Sequence, residues 1–155
     1  MVARCSRESW ADAPGVAAQA LAIQERVVQL APSDAEAWET ALTALREAGN
    51  ADGDEARRDF ELERKLGLAA AAPLEIAELG ADAAALAALA GEHGDPAYRA
   101  DAVAAAALAA GGARAAAHLV EVNLAVRAGD ERLAQARASE QAAADAAERL
   151  LASIR

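Results

Sequence analysis

The chain has 155 residues, of which 51 are alanine and only 29 are Leu, Ile, Val or Phe, so its apolar share of 55% is mostly methyl groups. Asp and Glu number 25 against 15 Lys and Arg, a net charge of −10 that argues against a phosphate-backbone or anionic-membrane partner, both of which need clustered cations. Alanine is the strongest helix former and strand formers are scarce, so the composition points to an all-α chain.

In chain order, residues 1–13 read as a flexible or partly packed start that contains the single cysteine, Cys5, which excludes an intrachain disulfide. No apolar leader follows Met1, and the run from Ala102 to Ala113 is too short to span a bilayer, so the expected setting is cytoplasmic. Pro14 and Gly15 precede an apolar stripe of Val16, Ala20, Ile23, Val27 and Leu30 at helical spacing, which Pro32 is expected to stop. Ser33 and Glu36 form a capping-box pattern for a second helix carrying Trp38, Ala41, Leu42 and Leu45, closed by Gly49. Asp52 and Glu55 open a third helix through Phe60, Leu62 and Leu66 to Gly67.

Pro73 fits the first turn of a fourth helix that ends near Gly91 or Gly94. Asp95 followed by Pro96 is a cap and first-turn proline for a fifth, which Gly111 and Gly112 would end. A sixth carries Leu119, Val122 and Val126 to Gly129, and Asp130 caps a seventh through Leu133 and Leu150. Seven helices with short connections make antiparallel hairpins, placed in one helical domain over 14–155.

Gly15 and Gly49 lie 34 residues apart, and Gly94 and Gly129 lie 35 apart. With Pro32, Trp38, Leu45, Gly49, Ala56 and Phe60 at their offsets, residues 15–66 resemble the tetratricopeptide repeat family. The resemblance implies a short α-solenoid, repeat-like over 14–67 and degenerate over 73–155. It also implies that Trp38, Leu45, Gly49, Ala56 and Phe60 are repeat core, and that Glu36, Glu39, Thr40, Thr43, Arg46 and Glu47 line a peptide groove. Leu42 departs from the pattern, standing where the family has a small residue. The acidic groove residues would favour a protein or peptide segment that is basic or neutral.

Chemistry-bearing constellations are sparse. His118 and Glu121 are three apart on one helix face, but His93 sits elsewhere, so no metal site is expected. Asp52 and Asp54 lack the remainder of a calcium loop, and Gly111 and Gly112 lack the Lys and Ser or Thr of a phosphate loop. The reading is a non-catalytic protein–protein scaffold without a cofactor. The alternative is a helical accessory domain or subunit of an enzyme, and the weaker one a small-molecule-binding bundle. Thin alanine faces also allow a homodimer.

Overall fold

A computed structural model describes residues 1–48, 55–125 and 129–153. Those residues are almost wholly helical: α1 (Val2–Cys5), α2 (Ala13–Ala48), α3 (Glu55–Ala69), α4 (Ala71–His93), a 3-10 turn (Pro96–Tyr98), α5 (Arg99–Asn123) and α6 (Glu131–Ala152).

The centre is a three-helix bundle of α4, α5 and α6. Gly91 near the end of α4 meets Leu150 near the end of α6 and Ala102 near the start of α5. At the opposite end Ala77, Val120 and Ala136 share a second cluster. The helices therefore run alternately up, down and up. Their facing residues are mostly alanine: Ala84, Ala88, Ala102, Ala106, Ala113, Ala143 and Ala146 are all buried. Small side chains bury little area each, so such a core gains its cohesion from close backbone approach. A Cβ placed on Gly80 would lie 3.0 Å from the Cβ of Ala113, which shows how close α4 and α5 come.

Against this bundle lies α2, whose inner stripe is in register from Ala13 through Ile23, Val27 and Leu30 to Ala37, Ala41 and Ala44. Its first half packs on α4, where the Arg26 guanidinium bridges the Glu75 carboxylate with one arm at 2.7 Å. Its second half packs on α3 through Ala41, Leu66 and Ala69.

This arrangement corrects the expected helix count. Pro32 does not stop a helix; α2 continues through it for 36 residues. An interior proline costs about 3 kcal/mol through its missing donor and ring clash. Here Pro32 is on the exposed side, and the inner stripe resumes unbroken at Asp34 and Ala37, so packing on both sides of the proline holds the rod together. The Ser33 and Glu36 pair is consequently inside a helix rather than capping one. Likewise α5 runs through Gly111 and Gly112, because both are solvent-facing and the buried stripe of Ala106, Ala113, Ala116, Ala117 and Val120 is continuous across them. Two expected helix pairs are thus single helices, and the stacked antiparallel hairpins of a solenoid do not form there.

The expected repeat core is also corrected. Trp38 is 42% exposed, Phe60 is 62% exposed, and Leu45 and Ala56 are exposed too. In an unbroken α2 the Trp38 and Leu45 face has no following hairpin to pack against. Gly49, Asp52 and Asp54 lie outside the described residues.

Other boundaries follow the expected chemistry. The Asp95 carboxylate accepts the Ala97 amide at 2.9 Å, and Asp130 accepts that of Arg132 at 3.0 Å. Gly129 has φ +80°, the left-handed conformation that favours glycine before the Asp130 cap. The stretch Pro96–Asn123 is long and apolar enough by composition to cross a bilayer, and its buried alanine stripe is the one that faces α4 and α6.

Candidate functional site

The N-terminal segment is tied to the bundle by Ser6. Its hydroxyl donates to the Val2 carbonyl at 3.0 Å and accepts the Asp95 amide at 2.8 Å. Val2, Ala3 and Ser6 are buried as a result. This fixes α1 across one end of the bundle and roofs a half-open cavity of about 380 Å³ between α1, the first half of α2, the second half of α4 and the start of α5.

The cavity walls are apolar. Val16, Leu21 and Ile23 come from α2, Leu86 and Ala87 from α4, and Ala102 and Ala105 from α5. Arg4 and Gln24 supply the only polar side chains among the lining residues. Such a lining suits an apolar body, with one cation available to an acidic group and one amide able to donate and accept. It contains no carboxylate, imidazole or thiol for acid–base or nucleophilic work.

Beside α1 sits a second group of side chains. The Trp10 ring lies over the His93 imidazole with centroids 5.8 Å apart and planes tilted by 33°. Cys5 is exposed and lies beside Tyr98. The Tyr98 hydroxyl is held above its ordinary value of 10.0, foremost by negative charge at the neighbouring Cys5, with desolvation, Asp95 and Asp101 adding. Arg99 is turned away from this group, donating to the Gly91 carbonyl at 3.0 Å.

At the other end of the bundle the last carbonyls of α3 are captured. The Asn123 amide donates to the Ala69 carbonyl at 3.0 Å, and Arg132 donates to that of Gly67 at 2.6 Å. Arg132 is itself gripped by both Asp130 oxygens, a hydrogen bond that raises the guanidinium pKa above its ordinary value. These groups satisfy orphan helix-end acceptors, so their role is structural.

The residues expected to line a groove do not assemble into one. Glu36 and Thr40 border a shallow hollow of about 290 Å³ with Ser33, Ala37, Lys65 and Leu68, whereas Glu39, Thr43, Arg46 and Glu47 lie outside it. Thr40 and Thr43 each donate back to the carbonyl four residues earlier, at 2.9 Å. His118 and Glu121 meet at 3.9 Å, but Glu121 is taken at 2.8 Å by Arg137, and no group of three potential metal ligands occurs among the described residues. Sequence reasoning missed the cavity because alanines on four separate helices build it, and spacing along one helix carries no signal of that.

Residues 1–143 match the family model described as formiminotransferase-cyclodeaminase, so the chain belongs to that family and not to the tetratricopeptide repeats. The 34-residue glycine interval is therefore not a repeat period. No curated protein matches the chain.

Proposed function

Starting from membership of the formiminotransferase-cyclodeaminase family, we propose that the chain is a helical accessory domain or subunit of an enzyme and does no chemistry alone. The observation that carries this reading is the family match over residues 1–143. The apolar lining of the cavity supports it, since Arg4 and Gln24 offer a ligand orientation but no general base.

The test is an assay of the purified chain for both activities in the family's name, alone and with material it captures from its native host. No turnover by the chain alone, with activity in the captured fraction, is expected. Turnover by the chain alone that Arg4→Ala or Tyr98→Phe abolishes overturns the reading.

The cavity also favours a second reading, binding of a small molecule with an apolar body and an acidic group. Ala87→Trp would fill it, and loss of ligand-induced thermal stabilisation in that variant is the expected result.

A further inference from the structure

Polarity in the cavity beside α1 is graded from floor to mouth. Val2, Ala3, Ala90 and Ala102 are buried and form its floor. Arg4 and Gln24, the polar side chains of the lining, are exposed to solvent at its mouth. Met1 and Leu21 line it too and are 73% and 41% exposed, so apolar surface is left there for a ligand to cover. The lining carries one charged side chain, and it is positive, in a chain whose net charge is −10. Arg4 makes no ion pair among the described residues.

The cavity is also a trough. At one end stands α1, where the Ser6 hydroxyl ties it to Asp95 just past the end of α4. From there one wall follows α2 from Val16 to Gln24, and the other follows α4 from Ala90 back to Ala83, about 12 Å and about 10 Å by helical rise. Small side chains dominate both walls: Ala17 and Ala20 on α2, Ala83 and Ala87 on α4.

We propose that this trough binds an unbranched fatty carboxylate of about eight to ten carbons, its tail along the alanine walls and its carboxylate at Arg4. This rests on the small-molecule reading of the cavity and names the ligand class. A hydroxyl or ring nitrogen carried to the floor would find no side-chain partner there and would lose about tenfold or more in affinity, which favours a plain hydrocarbon body. An extended chain advances about 1.3 Å per carbon, so eight to ten carbons match the length of the walls. The volume of about 380 Å³ is at the small end of ligand cavities and suits a ligand of that size. Solvent keeps the contact with exposed Arg4 weak, so the tail supplies most of the affinity and the cation supplies the orientation.

Isothermal titration of the full chain with hexanoate, octanoate, decanoate and dodecanoate tests this, each below the concentration at which it forms micelles. Affinity is expected to rise about fourfold per added methylene up to decanoate and then to level off, because further carbons leave the trough. Arg4→Gln is expected to weaken decanoate by up to about fivefold and to leave decanol unchanged. Ala83→Leu is expected to move the plateau to a shorter chain. Absence of binding by every straight-chain acid overturns the proposal, as does an affinity that climbs undiminished through dodecanoate, or one that Arg4→Gln does not touch. Naphthoate, a rigid acid, separates this from the reading beneath it. If naphthoate binds, Ala87→Trp abolishes that binding and the straight-chain acids fail, the fatty carboxylate falls and the small-molecule reading stands. If neither shape binds, both fall. If Ala83→Leu unfolds the chain, the wild-type length series and the surface variant Arg4→Gln decide.

Discussion

The Ala90 carbonyl accepts the Gly94 amide at 3.0 Å, and the same oxygen occupies the place a Cβ on Gly94 would need. Closing α4 in this way leaves room only for a hydrogen at Gly94, with the Ser6 hydroxyl 3.0 Å and the Val2 side chain 3.1 Å from the same point. Gly94→Ala is therefore expected to lower stability by more than about 1 kcal/mol, since either the α4 terminus or α1 must shift. Urea unfolding followed by helical circular dichroism measures it, and an unchanged midpoint would contradict the packing described.

Gly111 and Gly112 give the opposite expectation. A Cβ at either meets nothing within 4 Å, and both are in mid-helix. Replacing each by alanine is expected to raise stability by about 0.5–1 kcal/mol through reduced chain entropy in the unfolded state. Loss of stability in the same unfolding experiment would show that α5 breaks there after all.

Asn123 is buried and its amide is the partner of the Ala69 carbonyl. Asn123→Ala strands that acceptor and is expected to cost about 1–3 kcal/mol. Amide exchange should rise in α3 in particular, which separates loss of this tie from a general weakening.

The Arg26 hydrogen bond holds the Glu75 carboxyl below its ordinary value of 4.5. A carboxylate with a lowered folded-state pKa contributes stability that is present above its unfolded value and lost as pH falls through its folded value. Stability measured downward from pH 4.5 should therefore fall more steeply in the wild-type chain than in Glu75→Gln. The difference is small, because the pair is exposed to solvent.

Tyr98 titrates above its ordinary value of 10.0 mainly because of Cys5. Cys5→Ala is expected to bring the tyrosinate absorbance transition down toward that value. A transition that does not move would remove Cys5 as the cause.

Two of the single caps, at Asp95 and Asp130, are legible in this sequence, whereas the Ser33 and Glu36 pair lies inside α2. The Asp95 and Asp130 caps and the all-α composition are each realised in the side-chain contacts of the fold. What misled was the treatment of Pro32 and of Gly111 and Gly112 as terminators. Each is locally unfavourable in a helix, but the cost is one to a few kcal/mol and is offset by stripes that pack continuously on either side. A helix break at Pro32 would make Trp38 and Phe60 repeat core; with α2 unbroken both are exposed. The cavity was invisible for a different reason: Val16, Leu86 and Ala102 come together only through tertiary packing.

The continuity of α2 has a mechanical consequence. One rod, about 54 Å long by its helical rise, forms a wall of the cavity with Leu21 and Gln24 and, further along, holds α3 through Ala41. A helix bends far less readily than a loop, so an outward tilt at the cavity is carried to the α3 end as a lever carries it. The wall of the cavity and the anchorage of α3 thus belong to one element rather than to two joined by a loop.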